Sequence, residues 1–308
     1  MELIEETGLA SKEGLALTIG FFDGVHHGHL FLAKQLAKVA KSEGLKSAIL
    51  TFWPHPRIIL HEAYQPKLLN THEEKLELLK QLPVDYCIQM EFTTEVSNLS
   101  AHDFMEKVLK NRLNVKHLLI GYDHRFGKNR EEGFDDYCTY GEELGMKVTR
   151  AEPYEENDFT ISSSFIRNLL GVGDIELANR YLGYNYNISG TVIHGKQNGR
   201  KLGFPTANIE PEIENKCIPC FGVFAVKVTV RGETHKGVAC IGTRPTYGGG
   251  EVSIEVNIFD FDEDIYGERI NMQFLHKLRA QNKFCTEDDL RAAIGEDRIK
   301  AEQMMANE

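Results

Sequence analysis

The sequence predicts an α/β domain followed by a small β domain, on three observations. Up to about Gly183, apolar strand-like runs alternate with helix-like segments. Beyond it, strand follows strand through turns rich in Gly, Pro and Asp, with no helix between them. The 308 residues are enough for two domains that each bury a core.

Leu15–Phe22 is a continuous apolar run and reads as a buried strand. Gly28–Glu43 places Leu32, Leu36, Val39 and Ala40 at helical spacing. Lys46–Phe52 is a second buried strand. Thr71-His-Glu-Glu74 is a capping box and opens a helix that runs through Leu82. Val84–Met90 is a third strand, and Ser100-Ala-His-Asp103 starts another helix, with Asp favourable in its first turn. Val115–Tyr122 and Met146–Ala151 complete the series. This β-α alternation predicts a doubly wound parallel sheet, which binds ligands beyond the carboxyl ends of its strands. In the second part Asn187–His194, Gly222–Val230, His235–Gly242, Glu251–Phe259 and Arg269–Leu275 read as strands. They predict a small antiparallel barrel, followed by a helix over Thr286–Met304 capped by Thr286. The boundary falls near Tyr181–Asn187, so the expected domains are 1–183 and 184–308.

Composition narrows the function. The chain carries 35 basic and 46 acidic side chains, a net charge of −11. Such a surface repels polyphosphate backbones, so a nucleic-acid partner is not expected, while a local basic pocket can still hold a small nucleotide. No apolar run reaches the 18 residues of a membrane span, and the acidic start MELIEETGLASKEG has no apolar signal core. Six cysteines are too sparse for a disulfide framework, so a cytoplasmic location with reduced thiols is expected. Cys217-Ile-Pro-Cys220 has the spacing of a redox or metal pair. No second such pair and no close pair of histidines follows, and we read it as structural.

The first chemical motif is Gly20-Phe-Phe22-Asp23-Gly-Val-His26-His-Gly28-His29, between the first strand and the first helix. Glycines there let a phosphate approach the backbone, and the helix start presents free N–H groups with a partial positive charge. His26 and His29, three residues apart, can both donate to the same anion as charge builds in a transition state. The segment resembles the signature of HxGH nucleotidyltransferases. Thr51-Phe52-Trp-Pro54-His55-Pro56, Gly121-Tyr-Asp123-His-Arg-Phe-Gly127 and Ile161-Ser162-Ser163-Ser-Phe-Ile-Arg167 resemble the FMN adenylyltransferase module of bacterial bifunctional FAD synthetases. That resemblance implies that Asp123 lies by the ribose or phosphates of ATP. It implies that Ser162, Ser163 and Arg167 serve the phosphates, and that Phe52, Pro54, His55 and Pro56 form a flavin-side wall. The implied reaction is attack of the FMN phosphate on the α-phosphorus of ATP. The attacking group is already anionic and needs no general base.

The second motif is Gly195-Lys-Gln-Asn-Gly199-Arg200-Lys-Leu-Gly203-Phe-Pro205-Thr206-Ala-Asn208. A glycine-spaced basic loop can wrap a polyphosphate with backbone N–H groups. The Thr206 hydroxyl and the Asn208 amide oxygen are hard neutral ligands suited to Mg²⁺ shared with phosphates. The sequence GK[ST] is absent, so this is not a Walker A loop. The pattern resembles riboflavin kinase. Glu255 then occupies that family's catalytic glutamate position, where it would take the proton of the riboflavin 5′-hydroxyl. Many members carry His where this chain has Asn257, a departure that leaves Glu255 in place. Gly242–Tyr247 and Phe259–Gly267 are expected to be framework or flavin-pocket segments.

The resemblance spans roughly 15–305 and implies that the chain makes FMN and then FAD, with ATP as co-substrate and Mg²⁺ as cofactor. The expected partners are riboflavin, FMN and ATP, with at most weak self-association and neither nucleic acid nor a membrane. Two other readings remain open on sequence alone: a kinase whose first half transfers another nucleotide or none, and a flavin-binding regulator that uses the barrel as a sensor.

Overall fold

The computed structural model describes residues 1–5, 13–55, 67–156, 159–195, 198–212, 215–243, 252–282 and 284–307. Two compact units divide the chain, Met1–Ser163 and Ser164–Glu308.

The first unit is built on strands β1 (Glu2–Glu5), β2 (Leu15–Ile19), β3 (Lys46–Trp53), β4 (Tyr86–Glu91), β5 (Val115–Ile120) and β6 (Lys147–Arg150), in the order β1-β4-β3-β2-β5-β6. Every pairing in this sheet is parallel. Both faces are covered, which explains the continuous apolar runs. Leu15, Leu17 and Ile19 join one core with Leu50, Ile88 and Leu118, while Ala16, Ile49 and Cys87 face a second core. Helix α1 (His27–Glu43) supplies Ala33, Leu36 and Ala40 to that second core. Gly44, at φ 65°, ends α1 in the left-handed conformation that glycine adopts without a Cβ penalty. Helix α2 (His72–Leu79) is shorter than its apolar pattern predicts, and its capping box forms in full: Thr71 Oγ1 accepts from Glu74 N at 3.1 Å and Glu74 Oε2 from Thr71 N at 2.8 Å. Ser100 caps its helix in the same way, accepting from Asp103 N at 3.0 Å. Helix α3 (Phe134–Leu144) precedes β6, and a short antiparallel pair, β7 (Glu155–Glu156) and β8 (Phe159–Thr160), follows it. The acidic N-terminal residues contain β1, which pairs with β4; four residues carry too short a pattern to announce an edge strand.

Strand order reverses between β2, which leads toward β3, and β5, which leads away. Such a switch point opens a crevice at the carboxyl ends of the strands. The segments at the ends of β2, β3 and β5 hold three of the four stretches of the first motif group, and the fourth, Ile161–Arg167, comes later at the start of the helix that begins at Ser163.

The second unit begins within helix α4 (Ser163–Val172), continues through α5 (Ile175–Leu182) and closes as a six-stranded barrel. Its strands are β9 (Asn187–Ile193), β10 (Ala207–Pro211), β11 (Gly222–Val230), β12 (Glu233–Thr243), β13 (Val252–Ile258) and β14 (Arg269–Arg279), in the order β10-β13-β12-β11-β14-β9, antiparallel throughout. Closure removes the unpaired edges of an open sheet. Arg231 and Gly232, at φ 49° and 84°, make a two-residue turn between β11 and β12 whose hand matches strand twist. A last helix, α6 (Glu287–Met304), is capped by Thr286 as predicted and packs Ala301 against a cluster with Val223, Ala225, Leu275 and Leu278. Helix α5 is tied to β14: Asn179 Nδ2 donates to Phe274 O at 2.8 Å, and Glu176 meets His276 Nδ1 at 2.8 Å. All six cysteines are free thiols.

Candidate functional sites

After β2 the chain makes a tight, unusual turn. Phe22, Gly24 and Val25 have φ of 58°, 82° and 37°. Positive φ at a β-branched residue is rare and costs energy, and such strain gathers at functional sites. The turn ends at His26, whose extended backbone caps α1. The imidazole of His26 stacks on that of His29 with ring centres 3.7 Å apart, and Phe22 lies 5.0 Å from His29. Gly28 makes this possible, since a methyl group there would meet the His26 ring at 3.1 Å and Ile161 O at 3.3 Å. Burial lowers the His29 imidazole to about 3, with the charge of Lys75 adding to the effect. His29 is therefore neutral at ordinary pH and carries one N–H to donate.

The structure brings His26, His29, Phe22 and Gly28 together. Asp23 is buried, and its Oδ1 accepts from Leu69 N at 2.9 Å. Its backbone oxygen accepts from Ser163 Oγ at 2.8 Å, so the serine segment is anchored to the turn. At the end of β3, Phe52 meets Phe92 edge-on, and His55 lies 4.2 Å from the Phe21 ring. Trp53, to which the sequence assigns no role, stacks on His72 at 4.2 Å. Pro56 lies outside the described residues. Tyr122 and Asp123 are exposed just past β5. His124 follows, and burial pushes its imidazole down to about 4. Arg167 stands on α4 and its Nη2 donates to Ser164 Oγ at 3.2 Å.

Lys75 escaped the sequence reading. Its side chain is 2% exposed, and its Nζ reaches Phe21 O, Thr51 Oγ1 and Phe52 O. The capping box around it identifies a helix start, and no local pattern marks a lysine that points inward.

In the barrel, strand register assembles the second group. Asn208 on β10 sits opposite Glu255 on β13, and Glu255 sits opposite Cys240 on β12. Thr206 Oγ1 approaches Glu255 Oε2 at 3.4 Å. Gly195 packs on Asn208, since a Cβ at 195 would lie 2.1 Å from the Asn208 amide nitrogen. Gly199 is as crowded, with Phe204 O 2.3 Å from where its Cβ would stand. Gly203, at φ 83°, turns the chain into Pro205-Thr206. Asn257 Nδ2 donates to Pro205 O at 2.7 Å, so the residue that departs from the family pattern holds the turn before Thr206 and Asn208. The Cys240 thiol is raised by burial and by the charge of Glu255.

A cavity of about 350 Å³ opens beside this cluster, walled by Val192, Arg200, Thr206, Val256, Ile258 and the segment 261–266. Arg231 clamps that segment, reaching Glu263, Asp264 O at 3.1 Å and Glu268 at 3.0 Å. Residues 244–250, which include most of the Gly242–Tyr247 segment, lie outside the described residues. Among the described residues no group of three or more His, Cys, Asp or Glu side chains could hold a metal ion by itself. Mg²⁺ shared with phosphates needs only one or two protein oxygens, and Thr206, Asn208 and Glu255 supply oxygens of that kind side by side.

No helix among the described residues is long and apolar enough to cross a membrane.

Comparison with known proteins matches both units. A family model described as FAD synthetase matches residues 9–165, and one described as riboflavin kinase matches residues 182–305. The bifunctional riboflavin kinase/FMN adenylyltransferase of Listeria monocytogenes is 40% identical over 283 residues, covering 91% of this chain and 89% of its own. That of Escherichia coli is 36% identical over 301 residues, covering 97% and 96%. A crystal structure from Streptococcus pneumoniae, named as a macrolide-efflux protein, superposes with a TM-score of 0.84 at 29% identity over 96% of this chain and 97% of its own. Its likeness here lies in the fold of both units. Two matched models, and relatives aligned over nearly the whole length, lead to one assignment: this chain belongs to the bifunctional riboflavin kinase/FMN adenylyltransferases, the ATP-using enzymes of FAD biosynthesis.

Proposed function

We propose that the two reactions occur at the two residue groups just described, riboflavin phosphorylation in the barrel and FMN adenylylation at the carboxyl ends of the parallel strands. The observation that carries the proposal is the juxtaposition of Thr206, Asn208 and Glu255 across β10 and β13. The functional division is 1–183 for adenylylation and 184–308 for the kinase.

In the barrel, Glu255 accepts the proton of the riboflavin 5′-hydroxyl as that oxygen attacks the γ-phosphorus of ATP. The bond from γ-phosphorus to the bridging oxygen breaks and ADP leaves. A carboxylate within reach of the hydroxyl contributes about 10²–10⁴-fold. Gly195, Gly199, Arg200, Gly203 and Pro205 shape the loop that holds the phosphates, and Thr206 and Asn208 would hold Mg²⁺. When bound, Mg²⁺ supplies charge neutralisation on the phosphate oxygens.

At the carboxyl ends of the parallel strands, a phosphate oxygen of FMN attacks the α-phosphorus of ATP and pyrophosphate leaves. His26 and His29 donate to the phosphates at the start of α1, beside Gly20, Phe22, Asp23 and Gly28. Ser162, Ser163 and Arg167 add hydroxyls and a guanidinium for the phosphates, and Asp123 lies by the ribose or phosphates. Phe52, Pro54, His55 and Pro56 face the flavin. The work is positioning and electrostatic stabilisation, with no base required. The substrates are small molecules of the cytoplasm, with no nucleic-acid or membrane partner and at most weak self-association.

The test is to incubate the full chain with riboflavin, ATP and Mg²⁺ and to resolve FMN from FAD. Both products, with Mg²⁺ required, support the proposal. FMN alone supports the kinase-only reading, and neither product the flavin sensor.

A further inference from the structure

A buried ammonium is costly unless its hydrogen bonds are met. Lys75 meets them with neutral oxygens, and no ion pair to a carboxylate is seen among the described residues. Its Nζ donates to Thr51 Oγ1 at 3.2 Å, to Phe52 O at 3.2 Å and to Phe21 O at 3.3 Å. An ammonium has three N–H donors, and here there is one acceptor for each. Thr51 Oγ1 passes its own proton to Phe21 O at 3.2 Å, closing a small ring of bonds. The charge also lies 4.0 Å from the centre of the Phe21 ring and 5.9 Å from that of Trp53.

These acceptors come from two places. Phe21 opens the turn that leads to His26 and His29. Thr51 and Phe52 end β3, just before Trp53-Pro54-His55. The Phe21 ring touches His55, so the two segments already meet above the lysine. Helix α2 does not need this side chain inside, because its cap is complete at Thr71 and Glu74.

We infer that Lys75 is a positioning residue for adenylyl transfer: it ties the phosphate turn at Phe21 to the flavin-side strand end at Phe52 and sets the distance between the two substrates. With its donors occupied by the protein, it acts through these segments and does not contact the phosphates. Burial pulls its ammonium down to about 8, against the opposing charge of Asp23. The inference rests on the proposed adenylylation site, which His29→Ala tests independently.

The experiment measures steady-state FAD formation from FMN and ATP by the full chain carrying Lys75→Met, with thermal unfolding on the same preparation. Methionine has a similar volume but no donor, so the buried oxygens of Phe21, Thr51 and Phe52 lose their bonds to Lys75, which lowers stability. A lysine kept for structure alone would still leave the kinetics of the folded variant unchanged. The expected result, measured below the unfolding midpoint of the variant, is a KM for FMN raised about tenfold or more and a lowered kcat, because misplaced reactants lose rate steeply. Riboflavin phosphorylation should stay within about twofold, since Lys75 lies outside the kinase residues. Parental KM and kcat in a folded Lys75→Met chain overturn the inference. If that variant does not fold, Thr51→Val decides: it keeps the shape and removes one of the three Lys75 acceptors together with the bond from Thr51 to Phe21 O, and an unchanged KM for FMN overturns the inference. Loss of FAD formation in His29→Ala with none in Lys75→Met leaves the proposed site standing without this residue.

Discussion

At the carboxyl ends of the parallel strands the imidazole of His26 stacks at 3.7 Å on the neutral imidazole of His29 beside a strained turn, and Lys75 is buried against that turn. In the barrel the Glu255 carboxylate faces a threonine hydroxyl at 3.4 Å and an asparagine across the strand pair. The first group offers hydrogen-bond donors to a phosphate. The second can take a proton. This difference follows the chemistry of the nucleophiles: the phosphate of FMN arrives ionised, whereas the 5′-hydroxyl of riboflavin must lose a proton. On the proposed assignment one chain holds two answers to phosphoryl and nucleotidyl transfer, one electrostatic and one with a base added.

The comparison breaks most sharply at Glu255. Glu255→Gln keeps the shape and removes the proton acceptor, so FMN production should fall by about 10²–10⁴-fold. FMN supplied from outside should still be adenylylated at nearly the parental rate. Kinase rates close to parental at neutral pH would take Glu255 out of the role of base.

His29→Ala should do the reverse. Loss of one transition-state donor costs about 3 kcal/mol, or on the order of a hundredfold or more in FAD formation. Riboflavin phosphorylation should remain nearly intact, and equal loss of both activities in a folded variant would refute separate sites.

A third experiment sharpens where the second region begins. Fragments 164–308 and 184–308 should both fold and phosphorylate riboflavin, because the glycine loop, Thr206, Asn208 and Glu255 lie in both. The shorter fragment loses Asn179 and Glu176 from β14, along with the Leu170 carbonyl that accepts from Cys220 N at 3.0 Å. It should melt lower by about 5 °C or more, since one kcal/mol shifts a domain of this size by a few degrees. Equal melting points would mean that α4 and α5 contribute nothing to the barrel. A folded 184–308 without kinase activity would end the two-module reading.

The smallest effect concerns acid. His29 and His124, held down to about 3 and about 4, both belong to the first unit. Below pH 6.5 the unfolded chain takes up protons that these native imidazoles refuse, so stability present above that pH is lost as the pH falls toward 4. Each contributes at most about 1.4 kcal/mol per pH unit, and less here because both rings are partly open to solvent. Melting of the full chain between pH 7 and pH 5 should show the fall, and His124→Phe should flatten it. An unchanged slope would mean that His124 does not resist protonation.

The sequence by itself determined most of what rests on neighbours along the chain. The caps at Thr71, Ser100 and Thr286 form where their spacing places them, because a side-chain oxygen and an amide three residues on need no other segment. Gly222–Val230 was legible to the residue, and the switch from alternating β-α segments to consecutive strands foretold a parallel sheet and a closed barrel. The two motif groups were legible as well, since glycine, histidine and the Thr-Ala-Asn run carry their chemistry in short stretches. Tertiary structure alone decided the rest. That β1 finds β4, that α4 and α5 belong with the barrel, and that Asn257 holds Pro205 depend on residues far apart in the chain. Lys75 shows the reason most clearly: on α2 it looks like any helix lysine, and only the ends of β2 and β3, 23 to 54 residues away, supply the acceptors that let its charge be buried.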